Sequence, residues 1–127
     1  MKFGLNLYPF YRFSDIASIT TFVQRAEQLG YAYVEIPEHA AFPAEYESAM
    51  GSLWYDAMVL GTHLVSRTRS MRVGFGILIL PQHNPFYLAK QLSTLDLLSG
   101  GRTFLGVGVG WLEGEMSLQG GDFSHRG

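Results

Sequence analysis

Four histidines, eleven carboxylates and no cysteine are the groups of this 127-residue chain that could move protons or ligate metals. His39 is the sharpest candidate catalytic residue. It lies just past the short β-branched and aromatic run Tyr31-Ala32-Tyr33-Val34-Glu35-Ile36-Pro37, and an imidazole titrating at about pH 6.5 suits proton transfer near neutrality. The plainer reading is a loop histidine bonded to nearby backbone. Its neighbour Glu38 orients the loop or faces solvent, His83 reads as a surface-loop residue, and His63 falls inside a helical stretch where solvent contact is ordinary. With His125 included, the four do not stand at ligand spacing, so no metal site is expected. Glu113-x-Glu115 alone does not argue glycosidase-type paired carboxylates. A Gly-x-Ser-x-Gly elbow is absent, and without cysteine there is no thiolate nucleophile, thiolate metal site or disulfide framework.

The elements that must position these groups follow from apolar periodicity. Lys2 to Tyr8 alternates, with Phe3, Leu5 and Leu7 on one face, and predicts a strand. After the aromatic loop Pro9–Phe13, Ser14 is the expected cap of a helix carrying the stripe Ile16, Ile19, Phe22, Val23, Ala26 and Leu29, stopped by Gly30. Tyr31–Pro37 predicts a second strand. A helix over Tyr55–Thr68 and a third, almost wholly apolar strand over Met71–Leu80 follow, as expected for a strand buried on both faces. Asn84-Pro85 opens another helix as cap and first-turn proline, and Ser99-Gly100-Gly101 ends it. Thr103–Val109 predicts a fourth strand, and a short helix starts near Leu112. Strand and helix alternating in this way give a (βα)₃β order and an all-parallel sheet.

Several classes of function are excluded by composition. Nine basic against eleven acidic residues, a net charge of −2 and no basic run argue against a nucleic-acid surface. The N-terminal run stops at Pro9, which suits a strand better than a signal peptide. The longest apolar run, Ile77–Leu80, is far short of the roughly 20 residues of a membrane helix, so no membrane partner and a cytoplasmic location are expected. The length fits one domain, and there is no linker or low-complexity tract.

Two parallel architectures compete, an open doubly wound sheet and a (βα)₈ barrel. Gly106-x-Gly108-x-Gly110 lies within and after the fourth strand and not at the first strand-to-helix turn, so it argues only weakly for a dinucleotide loop. Glycines packed at a strand end more often admit another backbone or a flat ligand.

A series of motifs goes further. Met1-Lys2-Phe3-Gly4-Leu5, Arg25-Ala26-Glu27-Gln28-Leu29-Gly30-Tyr31, Glu38-His39, Asn84-Pro85, Leu88-Ala89-Lys90-Gln91, Thr94-Leu95-Asp96 and Leu98-Ser99-Gly100-Gly101-Arg102 occur in that order. Leu105-Gly106-Val107-Gly108-Val109-Gly110-Trp111 and Phe123-x-x-Arg126-Gly127 complete it. Across its whole length the chain resembles the N-terminal half of the luciferase-like flavin oxidoreductase superfamily, and in detail most its deazaflavin-using branch. The resemblance implies an α/β fold of parallel (βα) units of a TIM barrel, with residues 1–127 as a single domain making about half a (βα)₈ barrel. A complete barrel takes about 250 residues, so the chain is expected to be a truncated product or a stand-alone half barrel. Two unpaired sheet edges would then favour self-association.

In such a barrel the reacting groups stand at the carboxyl ends of the strands, which selects Asn6-Leu7-Tyr8, Glu38-His39, Leu78-Ile79-Leu80 and Val109-Gly110-Trp111. The resemblance implies His39 beside the cofactor ring. It also implies a bulged, sometimes cis, peptide at Leu78, Ile79 and Leu80 as the ring's bed, and Gly108, Val109 and Gly110 meeting the cofactor. Tyr8, Phe10 and Trp111 are the expected substrate walls, although Phe10, Tyr11 and Phe13 equally suit an aromatic loop packed on its own helix. Some relatives carry a catalytic acid near position 111. This chain has tryptophan there, with carboxylates only at Glu113 and Glu115, and the acid role is not transferred. The cofactor implied is a deazaflavin (coenzyme F-420) or FMN, and the reaction hydride or oxygen transfer on a small organic substrate. The alternatives are a non-catalytic half barrel acting as an association module, and an open-sheet nucleotide binder disfavoured by the missing phosphate loop.

Overall fold

The alternating N-terminal run forms β1 (Gly4–Asn6), and residues 1–127 are all described by the computed structural model. A 3₁₀ turn, Phe10–Arg12, leads into α1 (Ile16–Gln28). Its cap is Asp15 and not the expected Ser14. The Asp15 carboxylate accepts the Ser18 N–H at 2.7 Å, and the Ser18 hydroxyl accepts the Asp15 N–H, a reciprocal pair that Ser14 stands one position too early to make. Then come β2 (Tyr33–Ile36), the short α2 (Glu47–Met50) and α3 (Ala57–Arg67), with Asp56 accepting from the Val59 N–H. β3 (Arg72–Ile79) is followed by α4 (Pro85–Ser99), capped by Asn84 and stopped by Gly100 in the left-handed region. β4 (Thr103–Gly108) and α5 (Glu113–Leu118) complete the main elements.

All four strands are parallel and lie in chain order, β1-β2-β3-β4. A sequential order with right-handed crossovers puts every connecting helix on the same side, and the packing agrees. Ile19, Val23 and Ala26 of α1, Leu60, Leu64 and Val65 of α3, and Leu88 and Leu95 of α4 form one cluster with Val34, Ile36, Val73, Phe75 and Leu78 of the sheet. This singly wound arc is the half-barrel architecture and excludes the doubly wound alternative, which needs a reversal of strand order. No helix is long and apolar enough to cross a membrane.

The opposite, concave face is built from different residues. The Tyr33 ring lies over Gly4 and the Phe104 ring over Gly74, where a Cβ would find no room, and the two rings meet edge to face at 5.5 Å. Above this aromatic floor the Asn6 amide donates to Glu35 Oε1 at 2.9 Å. β3 runs in register with β4 from Val73↔Thr103 to Phe75↔Leu105 and resumes at Leu78↔Val107, leaving Gly76 and Ile77 outside the ladder. The Gly76–Ile77 peptide is cis. The irregular peptide expected at Leu78–Leu80 therefore lies two residues earlier, within the strand.

Candidate active site

The carboxyl ends of the strands open onto a cleft of about 460 Å³. Asn6 and Tyr8 come from β1, Pro37, Glu38 and His39 from the end of β2, Gly76, Ile77 and Ile79 from β3, and Gly110 and Trp111 from the segment after β4. Met50, at the end of α2, and Trp54, in the segment after it, complete the lining. The Tyr8 hydroxyl ties that region down by donating to the Ala49 carbonyl at 3.3 Å.

His39 and Glu38 are consecutive but face different partners. His39 Nδ1 stands 2.7 Å from Glu115 Oε2, and the two side chains are 9% and 1% exposed. Glu115 Oε1 also accepts the N–H groups of Ala40 and Ala41. The imidazole is wedged among aromatic rings, with centroids at 4.2 Å from Phe42, 4.9 Å from Trp54 and 5.9 Å from Trp111. Its Nε2 makes no hydrogen bond within the chain and is not among the buried unpaired atoms, so it is left accessible on a ring that borders two cavities. His39 and Trp54 also line a second cavity of about 360 Å³ beneath the Ala40–Ser52 loop.

Glu38 points to the β3 side. Its Oε2 accepts the Ile79 N–H at 2.7 Å, and His83 Nε2 lies 2.9 and 3.0 Å from its two oxygens. That hydrogen bond raises the His83 pKa above its ordinary 6.5; burial opposes the rise, and the charges of Glu38 and Asp56 add to it. His83 is thus part of the rim and not a free surface-loop residue. His63, expected to face solvent, instead lies 2.8 Å from the Thr20 hydroxyl and links α3 to α1.

Of the residues selected from sequence, Asn6, Tyr8, Glu38, His39, Ile79, Gly110 and Trp111 meet at the cleft. The others do not line it. Leu78 points into the helix-side core, because alternation after the bulge sends it opposite to Ile79. Leu80 begins an exposed 3₁₀ turn, and Val109 is half-exposed outside the cleft. Gly108 supports the wall from behind, with the Ile77 Cδ1 occupying the place of its missing side chain. Phe10 is buried, packed edge to face on Trp54 at 5.6 Å and Tyr55 at 5.4 Å, and is a foundation of the site and not its roof. Glu115, Trp54, Met50, Gly76 and Ile77 were not selected from sequence.

A family profile described as luciferase-like monooxygenase matches residues 4–127. The 4-hydroxyprotoasukamycin monooxygenase of Streptomyces nodosus subsp. asukaensis is 29% identical over 96% of the chain, which spans only 32% of that relative's length. Among solved structures, the oxygenating constituent of 3,6-diketocamphane monooxygenase from Pseudomonas putida, in complex with FMN, superimposes with a TM-score of 0.79 at 20% identity, covering 99% of this chain and 36% of its own. The coenzyme F-420-dependent tetrahydromethanopterin reductase of Methanopyrus kandleri gives a TM-score of 0.71 at 27% identity, covering 94% of this chain and 30% of its own. With nearly its whole length matched by the profile and its strand order that of the same fold, the chain belongs to the luciferase-like monooxygenase family.

Proposed function

We propose that the cleft holds the planar ring of a flavin or deazaflavin, FMN or coenzyme F-420, and that the protein is an oxidoreductase or monooxygenase transferring hydride or oxygen on a small organic substrate. The observation that carries this reading is an imidazole anchored at Nδ1 by a buried carboxylate, with its other nitrogen open, on the wall of a largely apolar cleft at the carboxyl rim.

The residues present fit such a group. The volume falls within the roughly 300–1,000 Å³ of small-molecule sites. Ile77, Ile79, Tyr8, Trp54 and Trp111 supply an apolar and aromatic bed, and Gly76 and Ile77 line the cleft where the β3–β4 register is interrupted. Gly110, at φ +77°, lies against the Ile79 side chain where a Cβ would close the gap. When bound, the cofactor supplies hydride or oxygen chemistry. The chain's own part is to shape the bed, to exclude water with the aromatic cluster, and to hold His39 for proton transfer. Leu78 and Gly108 then support the ring's bed from behind, Leu80 and Val109 lie outside it, and Tyr8 and Trp111 face substrate.

We infer also that residues 1–127 act as one domain working in the cytoplasm, with small molecules as ligands and with self-association through the open edges of β1 and β4. A net charge of −2 without a basic run supports the absence of a nucleic-acid partner.

Titration of the chain with FMN and with coenzyme F-420, followed by fluorescence quenching, tests the proposal. Saturable binding of one of them is expected, with His39→Ala abolishing turnover while leaving binding nearly unchanged. Absence of binding of both at high micromolar concentration would refute it.

A further inference from the structure

The geometry points to a defined protonation pattern at His39: we infer that Glu115 is a positioning residue that fixes the neutral ring as its Nδ1–H tautomer, so that Nε2, the nitrogen without a partner in the chain, accepts a proton. The catalytic meaning of this rests on the flavin-site reading, but its structural basis does not.

Glu115 and Met116 are the buried residues of α5, next to the buried cap residue Leu112, which carries the Glu115 carboxylate inward and away from the cleft lining. Two main-chain N–H groups, those of Ala40 and Ala41, converge on Oε1. Backbone N–H groups can only donate, and two donors on one oxygen suit an ionised acceptor. Oε2 is left facing His39 Nδ1 at 2.7 Å and, as an acceptor, requires the proton to sit on that nitrogen. The hydrogen bond made by one imidazole nitrogen decides the state of the other, so Nε2 carries a lone pair. In a reaction at the cleft, a proton leaving a ligand O–H or N–H goes to Nε2, and the imidazolium so formed is stabilised by Glu115 behind it. Because Ala40 and Ala41 belong to the same loop as His39, one carboxylate fixes both the ring and the backbone that carries it.

The test is the ¹⁵N spectrum of the His39 ring in the labelled 127-residue chain, at a pH where the ring is neutral. The proton is expected on Nδ1. In Glu115→Gln the amide oxygen keeps the two backbone donors and the amide NH₂ faces Nδ1, so the tautomer is expected to invert to Nε2–H. A proton on Nε2 in the wild type, or an unchanged tautomer in a folded Glu115→Gln, would overturn the inference; should the variant not fold, the wild-type spectrum alone decides. FMN serves as a second probe. Its dissociation constant is expected to agree between wild type and Glu115→Gln within about threefold. A loss of about tenfold or more would show that Glu115 holds the cleft itself together, against the inference. If the wild type binds neither FMN nor coenzyme F-420, the flavin reading fails while the tautomer result stands.

Discussion

Glu27 shows how much one partly exposed side chain can organise. Its Oε1 accepts the main-chain N–H groups of Arg69 at 2.9 Å, Ser70 at 2.6 Å and Met71 at 2.8 Å, together with the Ser70 hydroxyl at 3.1 Å. The carboxylate thereby ties the last turn of α1 to the approach to β3. Burial alone would raise its pKa. The backbone bonds from Met71, Ser70 and Arg69, with the Ser70 hydroxyl, outweigh that and bring it from 4.5 to about 2. A pKa lowered by folding contributes stability that is present above the unfolded value and lost as pH falls through the folded one. The melting temperature is therefore expected to fall between pH 4.5 and about 2, and Glu27→Gln should flatten that dependence. The variant should also lose roughly 1–2 kcal/mol at neutral pH, a figure already reduced for solvent screening; equal acid sensitivity of the two proteins in thermal melts would contradict it. Glu27 stands in a stretch that the family resemblance singled out, but its partners are 42 to 44 positions away, and no local pattern announces them. Glu115 is a different case. Leu112, Glu115 and Met116 fall at helical spacing on one face, so an acid sharing an apolar stripe was visible in the sequence before its role was.

At the level of elements, the end of β2 works as a stitch, with Glu38 fastening β3 and His39 fastening α5. Pro37 ends the strand, and β2–β3 pairing stops at Ile36↔Phe75, so the Glu38 side chain takes over the Ile79 N–H where the ladder has ended. A pKa raised by folding, as at His83, contributes stability present below the unfolded value of 6.5 and lost as pH climbs through the folded one. Glu38→Gln removes the main cause of the rise, and the His83 midpoint followed by NMR is expected to drop toward or below 6.5. Loss of the charge-assisted bond, about 1 kcal/mol, should speed Ile79 amide exchange about fivefold. An unmoved midpoint would mean that Glu38 does not hold His83 in solution. Helix ends were legible because their signals are local: Asn84-Pro85 and Gly100 stand where α4 starts and stops. The irregularity in β3 was expected two residues late. Its cause is non-local, a register step against β4 in which Gly106 gives way to the Phe75 carbonyl, and the strand reads as an unbroken apolar run. That shift alone moved Leu78 from the expected bed into the core.

The arc as a whole exposes more surface than its mass would suggest. Its accessible area is 7686 Å² at 14.2 kDa, where a monomer of that mass typically shows about 6,800 Å². Some of its exposed apolar surface lies at β4. Leu105 pairs with Phe75 and Val107 with Leu78, so both point to the helix side of the sheet, yet they remain 43% and 47% exposed. β1 and β4 are the two edges of the sheet and each has one side without a ladder partner. An edge of this kind, flanked by uncovered apolar side chains and without a charged residue among Leu105, Val107 and Val109, is a template for pairing with another chain. Sedimentation velocity across a concentration series is therefore expected to give a mass rising above 14.2 kDa. Combining Leu105→Lys with Val107→Lys should shift the distribution toward monomer without loss of the core, since neither residue belongs to the packed cluster. A wild-type chain that stays monomeric at high concentration would show that the edges are blunted by the twist of the sheet alone, and the self-association proposed for this protein would fall.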